Sequence, residues 1–195
     1  MYNIKEFNKV KEYALERHIP IIMDDTLEKI KEVLSRENAK RILEVGTAVG
    51  YSACCFAMNS DAQIDTIEID SDRANEAKIN IEKIGFKNRI NIIEGNAVDI
   101  MPSLEPGYDI IFIDAAKSKY NIFLEESLKL IKDNGLIIAD NILYKGYVMS
   151  DYNKHKQRTA VRHLREYIKE VTENASLETE ILEIGDGLAI TRVKK

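Results

Sequence analysis

Two apolar runs in the chain stop on an acid: Asp109-Ile110-Ile111-Phe112-Ile113 on Asp114, and Gly135-Leu136-Ile137-Ile138-Ala139 on Asp140-Asn141. Two carboxylates and an amide oxygen form an all-oxygen donor set. Such a set suits a hard cation, Mg²⁺ or Mn²⁺, with water or a substrate oxygen filling its remaining positions. No His/Cys grouping points to zinc. A lone acid at a strand end more often serves as a helix cap or turn former, but both of these ends are expected in one crevice. Lys117 follows one turn after Asp114, in Asp114-Ala115-Ala116-Lys117, where it is the candidate base for a substrate hydroxyl.

A second constellation is Glu44-Val45-Gly46-Thr47-Ala48-Val49-Gly50, followed by Glu68. Gly46 and Gly50 let the backbone pass close to a ligand. Glu44 places negative charge where the pyrophosphate of a dinucleotide would lie, so a cationic ligand fits better. S-adenosylmethionine carries a sulfonium and an ammonium and has no phosphate. Glu68 stands at about the spacing where an acid accepts hydrogen bonds from a ribose diol. Alone it would read as a solvated strand end, and the glycine turn alone as tight strand-to-helix packing. Their register together points to a nucleoside.

The elements that must carry these residues follow from periodicity. Helical spacing of apolar residues covers 3–17 and 25–36, and strands are expected at Arg41 to Val45, Gln63 to Glu68, Ile90 to Glu94, Asp109 to Ile113 and Gly135 to Ala139. Runs that are apolar on both faces belong to a parallel sheet covered by helices on both sides, which gives a doubly wound α/β architecture. A helix at 158–172 and a hairpin, Leu177 to Ile184 and Leu188 to Thr191 around Gly185-Asp186-Gly187, close the chain.

Of the 195 residues, 45% are hydrophobic and 31% charged, and no repeat or Pro/Gly-rich linker divides them, so one domain is expected. The start lacks an apolar h-region and no run approaches the length of a membrane span, which predicts a cytoplasmic protein with no membrane contact. Cys54 and Cys55 are neighbours on a predicted helix, where side chains diverge, and read as packing residues. A net charge of -5 argues against indiscriminate nucleic-acid binding. Even so, Lys154 to Lys169 holds six Lys/Arg and one Glu. On a helix, Arg158, Arg162, Arg165 and Lys169 form one stripe, separate from an apolar face of Val161, Leu164 and Ile168. That stripe suits RNA phosphates or, equally, a solvated helix face.

In order along the chain, Ile42-Leu43-Glu44-Val45-Gly46-Thr47, Thr66-Ile67-Glu68, Phe112-Ile113-Asp114-Ala115-Ala116-Lys117, Ala139-Asp140-Asn141 and Gly185-Asp186-Gly187-Leu188 resemble the cation-dependent O-methyltransferases related to catechol and caffeoyl-CoA O-methyltransferases. Within that family, His18-Ile19-Pro20-Ile21-Ile22-Met23, Gly46 to Ala53 and Asp140 to Gly146 are most similar to the bacterial branch that methylates 5-hydroxyuridine at the tRNA wobble position.

The resemblance implies a class I methyltransferase, Rossmann-like fold over 1–195, with 1–38 as an N-terminal helical cover, and a homodimer. It implies cofactor contacts from Met23, Glu44, Gly46, Ser52, Glu68, Asn96, Ala97 and Asp114, and metal ligation by Asp114, Asp140 and Asn141. The expected partner is a tRNA anticodon loop, reached through Lys145, Arg158, Arg162 and Arg165, with Tyr144 and Tyr147 available for base stacking. The alternative is a small phenolic substrate of catechol or hydroxycinnamoyl type. Either acceptor can chelate Mg²⁺, since 5-hydroxyuridine carries its hydroxyl beside the C4 carbonyl.

Overall fold

The structure is a computed structural model that describes residues 2–150 and 157–194, so Lys154, His155 and Lys156 of the basic run lie outside the described residues. Two compact units divide the chain, residues 1–100 and 101–195. In the first unit, helices α1 (Ile4–Glu16) and α2 (Asp24–Glu37) precede β1 (Arg41–Val45), α3 (Tyr51–Met58), β2 (Gln63–Glu68), α4 (Ser71–Ile84), β3 (Ile90–Glu94) and the short α5 (Ala97–Ile100).

Local chemistry sets these boundaries. Asn3 caps α1 by accepting from the Glu6 amide, and Asp70 caps α4 by accepting from the Asp72 and Arg73 amides. Gly85, in the left-handed region, ends α4. Strands β1 and β3 both pair in parallel with β2, with Leu43 opposite Asp65 and Asp65 opposite Asn91. Cys54 and Cys55 are buried on α3, in keeping with packing roles, and burial pushes both thiols up.

The second unit holds β4 (Tyr108–Ile113), α6 (Tyr120–Leu130), β5 (Ile131–Asp140), α7 (Arg158–Glu173), β6 (Leu177–Leu182) and β7 (Leu188–Val193), with single 3-10 turns at Met101–Ser103 and Lys117–Lys119. Strands β4 and β5 run parallel, and β7 lies antiparallel between β5 and β6. The strands of the first unit are thus all parallel, and those of the second finish on an antiparallel pair, as the patterning predicts. Ile110 to Ile113 and Leu136 to Asp140 are all buried, which explains their unbroken apolar character.

Strand β5 starts earlier than its apolar run suggests. Ile131 pairs with Tyr108, yet the next pair is Leu136 with Ile110, so extra residues bulge out of β5 between them. The bulge carries exposed Lys132, Asp133 and Asn134, polar residues that read as a turn, with Asn134 at φ 62°. The hairpin is also shifted: β6 ends at Leu182 and β7 extends to Val193. No helix among the described residues is long and apolar enough to cross a membrane.

Candidate active site

In the first unit the chain leaves β1 through a loop with three residues at positive φ: Gly46 at 106°, Ala48 at 47° and Gly50 at 81°. Glycine adopts such angles freely, whereas Ala48 does so at a cost of about 1 kcal/mol. Glu68 holds the strained residue in place: its Oε2 accepts the Ala48 amide at 2.7 Å and its Oε1 the Asp70 amide at 3.0 Å. The carboxylate expected to meet a ribose therefore also braces the glycine loop, with lone pairs left for a diol. Glu44 lies fully buried behind the loop, where its Oε2 accepts the Thr66 hydroxyl.

Ser52 stands in the first turn of α3, whose N-terminus has no side-chain cap, so amide donors there can receive a carboxylate such as that of an amino acid. Asn96 follows β3, but its amide is used locally, donating to Asp99 and accepting from the Val98 amide. Ala97, the first residue of α5, is buried, and Met23 stands exposed at the start of α2. These residues suit S-adenosylmethionine in charge and hydrogen-bonding type.

In the second unit the two acidic strand ends converge. Asn141, at φ 61°, turns its side-chain Nδ2 to within 3.4 Å of Asp114 Oδ1, and Asp140 Oδ1 accepts the Asn141 backbone amide at 2.7 Å. Asp140 is 2% exposed, and burial followed by the charge of Asp114 pushes its carboxyl up to about 7. Burial also raises Asp114, against the pull of Lys117. Two mutually repelling carboxylates, one of them almost wholly buried, are costly when only Lys117 offsets them. The donor set fits a divalent cation. To ligate it, Asn141 would present its carbonyl oxygen, so its amide would turn over from the orientation seen here.

Lys117 opens the 3-10 turn after Asp114, and its Nζ lies 5.5 Å from the centre of the Tyr144 ring. Tyr144 in turn meets Tyr147 edge to face. Mg²⁺ at about a hundred times its dissociation constant is expected to stabilise the fold by about 2.7 kcal/mol. At this chain length that raises the melting temperature by roughly 5–11 °C. Thermal melts in Mg²⁺ and in chelator check this, and identical melts would leave the trio without its ion.

Two supports of this site have no obvious signal in the sequence. The buried Tyr120 donates its hydroxyl to the Asp140 carbonyl at 2.7 Å, tying α6 to the end of β5. In the 25 residues between the two acids, a helical tyrosine reads as packing. The turn Gly185-Asp186-Gly187 does more than join two strands. Its carbonyls accept three amides of the segment after the trio: Ile142 to Gly187, and Leu143 and Tyr144 to Asp186.

The basic helix departs from its expected picture. Val161, Leu164, Tyr167 and Val171 form the buried face of α7, with Ile168 at its margin. Arg158 and Arg162 are exposed, but Arg162 faces Glu166 and Lys169 faces Glu173. Arg165 turns its guanidinium onto the carbonyls of Val148, Tyr147 and Ser150. It clamps the loop that follows the trio with three of its five N–H donors. Lys145 is exposed in that loop at φ 57°.

Residues 4–194 match the family model described as O-methyltransferase. A catechol O-methyltransferase of Niastella koreensis is 34% identical over 167 residues, covering 80% of this chain and 74% of that protein. A caffeoyl-CoA O-methyltransferase of Populus kitakamiensis is 32% identical over 170 residues, 82% of this chain and 72% of its own length. Among solved structures, a Staphylococcus aureus protein provisionally described as a caffeoyl-CoA O-methyltransferase superposes with a TM-score of 0.90 at 37% identity, covering 96% of this chain and 91% of that one. The fold is that of the class I methyltransferases.

Proposed function

This chain belongs to the S-adenosylmethionine-dependent O-methyltransferase family, and on that premise we propose that it methylates a hydroxyl whose neighbouring carbon carries a second oxygen. The observation that supports this reading is the pairing of buried Asp140 with Asp114 and Asn141, an oxygen-only donor set whose two like charges are only partly offset by Lys117. A divalent cation bound there supplies a Lewis acid for the paired acceptor oxygens, and S-adenosylmethionine supplies the methyl group.

The chain's own residues supply charge, alignment and a proton acceptor. Asp114, Asp140 and the Asn141 carbonyl hold the cation. Gly46 and Ser52 would receive the amino-acid end of the cofactor, with fully buried Glu44 acting through the loop, while Glu68 would meet the ribose and Asn96 and Ala97 the adenine. Lys117, in its amine form, would take the proton of the acceptor hydroxyl at Nζ, and S-adenosylmethionine, when bound, would supply the methyl group and leave as S-adenosylhomocysteine.

Two acceptors meet the requirement for adjacent oxygens. The first is 5-hydroxyuridine in a tRNA anticodon loop, a reading supported by exposed Lys145, Arg158 and Arg162 as phosphate contacts. The second is a small phenol with neighbouring hydroxyls, supported by the names of the catechol and caffeoyl-CoA relatives. Replacing both Arg158 and Arg162 by Ala, while sparing the loop clamp Arg165, separates the two. For a tRNA acceptor, kcat/KM on tRNA falls at least about tenfold and its log–log salt slope becomes shallower by about two, while any catechol turnover is unchanged. For a phenolic acceptor, catechol turns over equally well in both proteins and tRNA takes up no label in either.

A further inference from the structure

Beneath the glycine loop the first unit buries three polar side chains in a row. Glu44 on β1 and Thr66 on β2 are opposite each other in the parallel register, and Thr47 follows in the loop. None is more than 1% exposed. Thr66 Oγ1 lies 2.5 Å from Glu44 Oε2 and 2.6 Å from Thr47 Oγ1. A buried mid-strand position favours valine or isoleucine, so a threonine there must use its hydroxyl to offset its burial.

The protons can be placed. An ionised carboxylate only accepts, so Thr66 donates its one proton to Glu44, and Thr47 must then donate to Thr66. Both hydroxyl dipoles point toward the carboxylate, and each bond polarises the next. Without such donors a carboxylate this deeply buried would take up a proton instead.

We infer that Thr66, backed by Thr47, is a positioning residue for cofactor binding: it keeps Glu44 charged and fixed behind the loop, so that the loop presents negative potential to the amino-acid ammonium of the ligand. This rests on the reading of Glu44 and the glycine loop as the site of the cofactor's amino-acid end. The relay acts through Glu44 and leaves adenosine recognition to other residues. Its loss therefore has a selective consequence.

The test is calorimetric binding of two nucleosides to the full chain. S-adenosylhomocysteine carries the ammonium, and 5′-methylthioadenosine lacks the whole amino-acid end. Thr66→Val is expected to weaken S-adenosylhomocysteine at least about tenfold while leaving methylthioadenosine within about twofold. Thr66→Ser restores the parent ratio, and Thr47→Val shows a smaller loss of the same kind. Retained methylthioadenosine binding reports that the variant is folded. Equal weakening of both ligands, or an unchanged ratio in Thr66→Val, overturns the relay and assigns Thr66 to packing alone. A parent protein that binds neither nucleoside contradicts the cofactor reading itself, and the relay falls with it.

Discussion

Asp140→Asn is expected to lose methyl transfer by about a thousandfold or more, while the metal-free variant melts several degrees above the parent at pH 8. The two effects have one cause. Asp140 is almost wholly buried beside the charge of Asp114, so its ionised form is costly in the empty site. Asparagine keeps the shape, can still accept the Asn141 amide, and removes that cost. At this chain length each kcal/mol gained raises the melting temperature by about 2–4 °C. The same change withdraws one of the two charges that attract the cation. Lewis-acid stabilisation contributes several kcal/mol to such a reaction, and each 1.36 kcal/mol is about tenfold in rate. Activity assays beside thermal melts in chelator check both halves. A variant that loses activity and also melts lower in chelator would mark Asp140 as a folding residue instead.

Gly187→Ala should be the most damaging single methyl group in the second unit. Gly187 sits at φ +92°, and a Cβ built there would come within 2.4 Å of Leu143 Cγ and 2.8 Å of the Leu143 backbone nitrogen. Left-handed strain costs an alanine about 1–2 kcal/mol, and overpacking adds about 1–3 more. The chain can relieve the clash only by moving Leu143, which is bound through its amide to Asp186 and follows Asn141 by two residues. The melting temperature should fall by roughly 4–20 °C and the stabilisation by Mg²⁺ should weaken with it. Gly146→Ala is the control: it also replaces a glycine at positive φ in this segment, but its added Cβ meets nothing within 4 Å. If the two variants lose the same amount of Mg²⁺ stabilisation, the buttress has no special part in shaping the trio.

Much of this arrangement is legible in the sequence because the turns punctuate it cleanly. Strands β1, β2 and β3 occupy the residues that their apolar runs predict, and Asp114 and Asp140 can be placed because those runs stop on them. The start of β5 is hidden, since a bulge of Lys132, Asp133 and Asn134 is chemically a turn even within a paired strand. Periodicity places a side chain on a face but does not name what it binds. Arg165 therefore belongs to a basic stripe by spacing and to a loop clamp by its hydrogen bonds. Tyr120 and Thr66 share this property: each reads as core, and each acts through one hydroxyl aimed at a partner far along the chain.

The acceptor's two adjacent oxygens and a divalent cation at Asp114, Asp140 and Asn141 are proposed to work together. Transfer of label from methyl-labelled S-adenosylmethionine tests this most directly, with 5-hydroxyuridine-containing tRNA and with 1,2-dihydroxybenzene, each in Mg²⁺ and in excess chelator. Uridine tRNA and 1,4-dihydroxybenzene serve as matched acceptors without the adjacent pair. Incorporation is expected into at least one adjacent-oxygen acceptor, lost in chelator and regained when Mg²⁺ is returned, with none into its matched control. Methylation that persists in chelator, or that proceeds equally on the 1,4-isomer, would contradict it.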